Sequence, residues 1–257
     1  MKTLLALLLL LPSLVLANSI DQQCPQFVVR GAPVSPLADN AAQFICKQNY
    51  AIHYRFDTKT AEYVVEHVTK ESVIGPAQRE DDFRPDPAIA KSNQSVLSDY
   101  VGHPYDRGHL APAGDNKQSK EIMSESFFLS NMVPQTPNNN RGIWKQLETA
   151  VRNLVTEGKD LYVVSGTHYQ PGYLTIGNNV GVPTHLWKVV VDRGSQTGIA
   201  FIFPNKGLPV KDLPKYATSI AEVEKLTGIN FMPELTPEQQ LQVEHEFHVI
   251  DWLGLTI

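Results

Sequence analysis

The sequence predicts an α+β protein with a mixed, largely antiparallel sheet and flanking helices. Segments 50–56 and 61–69 alternate polar and apolar residues on either side of a turn at 57–60, which is typical of a β-hairpin. Three further β-rich segments cover 161–167, 186–192 and 198–203. Hairpin-length connections join strands that run antiparallel, and helical segments lie among them, so a purely parallel α/β sheet is not expected.

The helical segments have recognisable ends. One is expected over about 140–157, where Gly158 ends it, and a second over 214–226, where Gly228 stops it. A third covers 237–247. Residues 75–105 are rich in Pro, Asp, Ser and Asn and predict a long surface connection, a kind of loop that is often functional.

The N-terminus predicts export. Lys2 precedes an almost uninterrupted run of Leu, Ala and Val that is shorter than a membrane-spanning helix, and small residues end the run near Ala17. We expect a signal peptide at 1–17, a single domain at 18–257, and a protein that is periplasmic or secreted. An uncleaved membrane anchor is the alternative.

Two cysteines, Cys24 and Cys46, lie in the N-terminal part of the chain. In an oxidising compartment such a pair usually forms one disulfide, which is the pairing expected here. The alternatives, a reactive thiol or a metal pair, are weaker because neither a third cysteine nor a nearby histidine completes a site.

The formal net charge of −5 does not favour tight storage of nucleic acid. Proteins that hold nucleic acid through phosphate contacts alone are usually basic. A local basic groove is compatible with this charge, and we then expect weak, salt-sensitive binding of a polyanion.

One dense group of chemically useful side chains is Asp106-Arg107-Gly108-His109. Arg107 can contact a phosphate through two N–H groups, and His109 can act as a base near neutral pH. Gly108 allows close approach of another group to the backbone. Alone, this group is equally compatible with a charged surface turn.

A second group lies on the helix expected at 140–157. Asn140, Glu148 and Arg152 are separated by multiples of four residues and would share one broad face. An amide oxygen and a carboxylate suit Mg²⁺, which keeps several water ligands. The alternative is structural, with Asn140 as a helix cap and Glu148–Arg152 as a solvated ion pair.

Three stretches together resemble a known family. Residues 105–112 (YDRGHLAP), 130–135 (SNMVPQ) and 140–144 (NRGIW) are similar to the DNA/RNA non-specific endonuclease family. Its members are ββα-metal (His-Me finger) nucleases, a group that includes endonuclease G and secreted bacterial nucleases. The resemblance therefore implies a ββα-metal nuclease core within the predicted α+β fold.

The resemblance implies roles for the central residues. His109 would take a proton from the attacking water, and Asn140 would bind a hydrated Mg²⁺, for which Mn²⁺ could substitute. Glu148 would hold the water shell of that metal. In the same comparison, Arg107 and Arg152 would brace the phosphate, while Asp106 and Asn131 would orient the site, with Asn131 close to the substrate.

One position departs from the family pattern. An arginine usually precedes the aromatic residue of the upstream loop, whereas Asp81 and Asp82 precede Phe83 here. Either Arg79 or Arg84 could take over, and Arg84 is included among the expected substrate-binding residues.

The predicted function is that of an exported, Mg²⁺-dependent endonuclease that cuts DNA and RNA with little sequence preference and leaves 5′-phosphate ends. A nuclease restricted to single strands, RNA or damaged ends is an alternative. A non-catalytic binding protein on the same scaffold and an exported metallohydrolase of another substrate also remain open.

Overall fold

The architecture is centred on a seven-stranded antiparallel sheet. A computed structural model describes residues 20–246 and residue 252, so the expected signal peptide at 1–17 and the end of the helix expected at 237–247 lie outside the described residues. In their order across the sheet, the strands are β1 Ala42–Cys46, β2 Tyr50–Arg55, β3 Thr60–Val68, β6 Leu161–His168, β9 His185–Asp192, β10 Thr197–Pro204 and β11 Ala217–Thr218.

The strand predictions are confirmed. The expected hairpin is formed by β2 and β3, which pair antiparallel with a register shift between His53 and Tyr54. The three later β-rich segments are β6, β9 and β10, which pair with one another in order. Two small pairs lie outside the large sheet: β4 Asp106–His109 with β5 Met132–Gln135, and β7 Thr175–Ile176 with β8 Val180–Gly181.

Both faces of the large sheet are covered, which explains why its strands are buried almost throughout. On one face, the helix α4 (Lys145–Thr156) packs Leu147, Val151 and Val155 onto the sheet. On the other face, the helix α5 (Ile220–Thr227) and the N-terminal segment cover a second apolar cluster. The remaining α-helices of the described residues are α1 Ile20–Gln23, α2 Lys70–Ile74, α3 Lys120–Glu125 and α6 Pro237–Gln240.

The strands β4 and β5 and the helix α4 form a ββα unit on the face that α4 covers. Residue 106 pairs with residue 135 and residue 109 with residue 132. Gly108 is needed for this pairing, because an added Cβ atom would lie 2.0 Å from the side-chain oxygen of Gln135. The pair thereby presents the end of β4 beside the start of α4.

The helix expected at 140–157 is wrong at its start. Regular α-helix begins at Lys145, and a widened helical turn, Asn139–Trp144, precedes it. Gly142 interrupts that turn with φ −104° and ψ −108°. Asn140 therefore does not continue the face of Glu148 and Arg152 along one straight helix, and it is not at the N-terminus of α4.

The helix expected at 214–226 also begins later, at Ile220, where the side chain of Ser219 caps it. Residues Val210–Tyr216 form a 3-10 helix, and Ala217–Thr218 forms the edge strand β11. Gly228 ends α5 in the left-handed conformation, as expected, with φ +77°. The third helix, expected from Pro237, continues as a widened turn, Leu241–His245.

The segment 75–105 is less exposed than expected. It has little regular structure apart from a 3-10 turn, Leu97–Tyr100, but the buried carboxylate of Asp86 accepts from Lys47 at 2.8 Å and from Ser130 at 2.5 Å. These bonds fix the segment against the body of the protein.

The expected disulfide between Cys24 and Cys46 is present and joins the N-terminal segment to β1. Among residues 20–246 and residue 252, no helix is both long and apolar enough to cross a membrane.

Candidate active site

His109 lies at the end of β4 in an aromatic setting. Phe83 and Phe127 surround its ring, with ring centroids at 5.8 Å and 5.0 Å. The backbone oxygen of His109 accepts a hydrogen bond of 3.2 Å from the indole nitrogen of Trp144. The ββα unit thus holds the residue from its backbone, while the two phenyl rings restrict the orientation of the imidazole.

The imidazole of His109 is neutral. Burial is the main cause that lowers its pKa to about 3, and the positive charges of Arg79 and Arg107 contribute. Its Nε2 atom is buried and has no hydrogen-bond partner within the described part of the chain. The unbonded Nε2 atom is free to accept a hydrogen bond, while burial and the two arginines disfavour its protonation in the free protein.

Asn140 is held by an acidic residue of the neighbouring strand. Its amide nitrogen donates to Asp106 at 2.9 Å, which leaves the amide oxygen as the possible ligand of a cation. Arg141 donates twice to the same carboxylate, at 2.8 Å and 2.6 Å. Burial opposes the ionisation of Asp106, but the bonds from Arg141 and Asn140 lower its pKa. Asp106 therefore fixes the orientation of the Asn140 amide.

Glu148 and Arg152 point from α4 toward the same groove. Burial raises the pKa of Glu148 to about 7, against the opposing effect of Lys188 and Arg152. Arg152 donates to the buried carboxylate of Asp115 at 2.9 Å. Gly114 approaches this guanidinium closely, because an added Cβ would lie 2.9 Å from its Nη1 atom.

Beneath Glu148 lies a buried ionic cluster that consists of Glu66, Asp115 and Lys188. All three residues are at most 2% exposed. Burial raises the pKa of Glu66 and lowers the pKa of Lys188. The charge of Lys188 opposes the shift at Glu66, and the charge of Glu66 opposes the shift at Lys188. The ammonium of Lys188 also bonds to the hydroxyl of Ser165 and lies 4.7 Å from the centre of the Trp144 ring.

The groove itself is strongly cationic, and we call it the phosphate groove. It encloses about 440 Å³ and is lined by Pro112, Ala113, Gly114, His109, Asn140, Glu148, Arg79, Arg107, Arg141, Lys145 and Arg152. Five of these residues carry a positive charge and only Glu148 is acidic. The groove is thus a local basic surface on a chain whose formal net charge is −5.

The upstream arginine that faces this groove is Arg79. Its guanidinium lies 5.0 Å from the centre of the Phe127 ring and pairs with Asp81 at 2.7 Å. Arg84, which was expected to bind substrate, instead donates to the carboxylate of Asp82 at 2.7 Å and to the backbone oxygen of Ser124. It does not line the groove, so its assignment is corrected in favour of Arg79.

Asn131 is also displaced from its expected role at the substrate. It is fully buried, and its side chain bonds to the backbone nitrogen and oxygen of Ala111 and to the backbone oxygen of Ser126. These bonds fix the chain that follows His109. Asn131 is therefore a structural support of the site and cannot touch a substrate.

Arg107 is one of the residues that line the groove. Its guanidinium stacks over Phe83, with 4.0 Å from its central carbon to the ring centre. Since the side chain is exposed, its N–H groups remain accessible to an anion.

Several residues that build the site were not found from the sequence. Gln135 donates to Asn139 at 2.7 Å, and Asn139 donates to backbone oxygens of Pro204 and Lys206. These bonds tie the turn that carries Asn140 to the end of β10. The polar run 135–140 is a sequence signal for such a network, but its partners lie about 65 residues away and have no local signature.

The donor set fits a hydrated divalent cation. Asn140 and Glu148 line the same groove and supply hard oxygen atoms. Within the described residues no group of three or more His, Cys, Asp or Glu side chains could hold a metal ion.

Comparison with known proteins agrees with this geometry. The family described as DNA/RNA non-specific endonuclease matches residues 32–238. The mitochondrial nuclease EXOG of Xenopus laevis is 38% identical over 79% of this chain and 61% of its own length. A nuclease of Nostoc is 36% identical over 77% of this chain and 76% of its own.

Human mitochondrial endonuclease G is 32% identical over 76% of this chain and 71% of its own length. A crystal structure of the EndoG/EndoGI complex, described as showing the mechanism of EndoG inhibition, matches with a TM-score of 0.74 and 28% identity. The match covers 86% of this chain and 94% of that one. The chain spans only 58–64% of the length of the four EXOG relatives.

Proposed function

Because the chain belongs to the DNA/RNA non-specific endonuclease family, a family of metal-dependent nucleases, we propose that it hydrolyses phosphodiester bonds of DNA and RNA with little sequence preference. The observation that carries the proposal is the placement of His109. A neutral, unbonded imidazole nitrogen lies in a groove with five cationic side chains and two candidate metal ligands. Contacts to the phosphate backbone alone carry no sequence information, which accounts for broad specificity.

In the proposed reaction, Arg79 and Arg107 hold the scissile phosphate and His109 takes the proton of the attacking water. A pKa of about 3 makes His109 a weak base in the free protein. The phosphate would offset the charges of Arg79 and Arg107, which contribute to that low value, and would raise the pKa of His109 toward the range of a useful base. Substrate binding would thereby activate the base.

Asn140 and Glu148 would hold a hydrated Mg²⁺, or Mn²⁺, with Asn140 as the direct ligand. When bound, the cation supplies charge stabilisation for the leaving 3′ oxygen, so the products carry 5′-phosphate ends. Asp106 accepts a hydrogen bond of 2.9 Å from the amide of Asn140 and so fixes its orientation. Arg152 lines the groove, and Asp115 accepts a hydrogen bond from one side of the Arg152 guanidinium. Arg141 neutralises Asp106 and keeps the acidic residue from repelling the substrate.

The proposed activity is tested by incubating the oxidised protein with plasmid DNA and with RNA in Mg²⁺, in Mn²⁺ and in EDTA. We expect both polymers to be cut with metal and neither to be cut in EDTA, with 5′-phosphate ends on the fragments. A folded protein that binds nucleic acid but cuts neither polymer with either metal would contradict the proposal and favour a binding protein on this scaffold.

We further propose that residues 1–17 are a signal peptide and that the mature chain is periplasmic or secreted. The disulfide between Cys24 and Cys46 supports an oxidising compartment. Several relatives are described as mitochondrial, which is a property of those proteins. Cell fractionation with mass spectrometry is expected to find a mature chain that begins near Asn18. Retention of the intact N-terminus inside the cell would contradict export.

A further inference from the structure

A second groove, which we call the side groove, opens from the phosphate groove. It encloses about 500 Å³ and shares Arg79, Arg107, Asn140 and Arg141 with the phosphate groove. Its other lining residues are Asp81, Phe83, Leu97, Tyr100, Val101, Tyr105 and Asp106. A polymer whose phosphate lies beside Arg107 therefore has the side groove next to it.

The wall of the side groove away from the arginines is apolar and aromatic. Leu97 is 41% exposed and Val101 is 75% exposed, although neither side chain contributes to the main core. Tyr105 adds a half-buried ring to this lining. Phe83 is the ring over which Arg107 stacks, so it connects the apolar lining to the arginines. We call Leu97, Val101 and Tyr105 the apolar shelf. Exposed apolar side chains grouped beside a polyanion site provide a surface that a sugar-phosphate backbone alone does not use.

The apolar shelf is held firmly by its neighbours. The carboxylate of Asp99 accepts from the backbone nitrogens of Val96 at 2.7 Å and Asn178 at 2.9 Å. His103 accepts from the backbone nitrogen of Gly177 at 3.3 Å. The small β7–β8 hairpin thus braces the 3-10 turn that carries the shelf, so ligand binding would not have to order it.

We propose that the side groove binds one unstacked nucleobase of the nucleotide that flanks the scissile phosphate. This inference rests on the proposed nuclease function and specifies its substrate class. A base combines an apolar π-face, which suits the shelf, with a covalent link to a phosphate, which suits Arg79 and Arg107. A base within an intact duplex is stacked and paired, and reaching the shelf would require it to flip out at a cost. Single strands, frayed ends and gapped sites are therefore the preferred substrates.

The test uses the double variant Leu97→Ser/Val101→Ser, whose positions are exposed, and a matched control, Val34→Ser/Leu241→Ser. Val34 is 55% and Leu241 is 60% exposed, and neither lines a groove of the site. The substrates are one oligonucleotide as a single strand, the same strand in a duplex, and the single strand with one abasic residue beside the cut. The full-length mature protein is assayed for kcat/KM in Mg²⁺ and for Kd in EDTA.

We expect the double variant to lose about tenfold in kcat/KM and in affinity on the intact single strand, since stacking of a base is worth roughly 5- to 150-fold. The loss on duplex should be several-fold smaller, and the control should match the unmodified protein. The unmodified protein should bind the abasic strand about as weakly as the double variant binds the intact strand. The double variant should bind the abasic strand no more weakly than it binds the intact strand.

The inference would be overturned if the double variant lost as much kcat/KM on duplex as on single strand. It would also be overturned if the loss from the variant and the loss from the abasic residue multiplied when the two were combined. If the unmodified protein binds the single strand in EDTA with the expected abasic penalty but cuts nothing, the side groove stands and the nuclease proposal fails. If it cuts both polymers without any abasic penalty, the nuclease proposal stands and the side groove does not bind a base.

Discussion

The phosphate groove and the buried ionic cluster beneath it place similar charges in opposite settings. In the groove, Arg107 is exposed and Arg141 keeps 72% of its side chain accessible. In the cluster, Lys188 and Glu66 are each 1% exposed. Trp144 contacts both regions, since its indole nitrogen donates to the backbone of His109 and its ring faces the ammonium of Lys188.

This difference separates two uses of charge. Exposed cations are hydrated, cost little in the folded state and remain free to meet an anion. Buried charges are costly unless they compensate one another, so they contribute to the arrangement of a site instead of binding its ligand. The buried cluster lies under Glu148 and Arg152 and sets their electrostatic surroundings.

Breaking the buried cluster is expected to have the largest effect on stability. Replacing Lys188→Met removes the hydrogen-bond partner of the buried Ser165 hydroxyl and the positive charge that opposes the raised pKa of Glu66. Since the carboxyl of Glu66 can then take up a proton, we expect a loss of about 1–3 kcal/mol in the free energy of unfolding. Urea denaturation measures this loss. Arg141→Ala, in the exposed setting, should cost less than about 1 kcal/mol.

The double variant Glu66→Leu/Lys188→Met then serves as the control for the interaction itself. It removes both charges, so much of the stability lost in Lys188→Met should return. If Lys188→Met is no less stable than the unmodified protein, the two residues do not compensate each other.

Removing a groove cation is expected to affect activity and leave stability unchanged. Arg107→Ala should lower kcat/KM on DNA by roughly 10- to 100-fold, because a hydrogen bond to a charged group contributes about 1.5–3 kcal/mol. The matched variant Arg84→Ala should change kcat/KM by no more than about twofold, since Arg84 faces Asp82. A larger loss with Arg84→Ala than with Arg107→Ala would reverse the assignment of the two arginines.

The effect that is smallest at neutral pH concerns the pH dependence of stability, because it develops only in acid. His109 has a folded-state pKa of about 3, below the ordinary value of about 6.5 that applies when the chain unfolds. Between these two pH values, His109 binds a proton in the unfolded chain and not in the folded protein. The free energy of unfolding therefore falls as the pH falls through this window, and His109 has no such effect above it. The maximum slope is about 1.4 kcal/mol per pH unit.

Unfolding free energies at pH 4–8 should therefore fall less steeply toward acid for His109→Gln than for the unmodified protein. Groups other than His109 contribute equally to both curves and cancel in the difference. Parallel curves would mean that His109 titrates normally in the folded protein.

The sheet was predictable from the sequence because its strands follow one another along the chain. The pairs β2–β3 and β9–β10 are hairpins with short connections, and β6 is a buried run of β-forming residues. The start of α4 was not predictable from the sequence. Gly142 interrupts the helix, although the residues around Gly142 are compatible with a helix. Periodicity therefore placed Asn140 on a helical face that does not extend to it.

The residues of the candidate site that belong to one short motif were predictable from the sequence. Those that come together from distant strands were not. His109, Arg107 and Asp106 lie within β4, so one short motif brings them together. Glu66 and Lys188 come from different strands, β3 and β9, with no shared motif. Arg84 was indistinguishable from Arg79 in the sequence, because hydrogen bonds formed only in the fold turn it away.

The most direct test of the account is single-turnover cleavage of a DNA oligonucleotide in Mg²⁺ by the unmodified protein and by His109→Ala, with circular dichroism to confirm that both are folded. His67→Ala, a histidine outside the phosphate groove, is the control. We expect a loss of about 10²–10⁴-fold in the cleavage rate for His109→Ala and little change for His67→Ala. A folded His109→Ala variant that cleaves as fast as the unmodified protein would contradict the assignment of His109 as the base and the groove beside it as the active site.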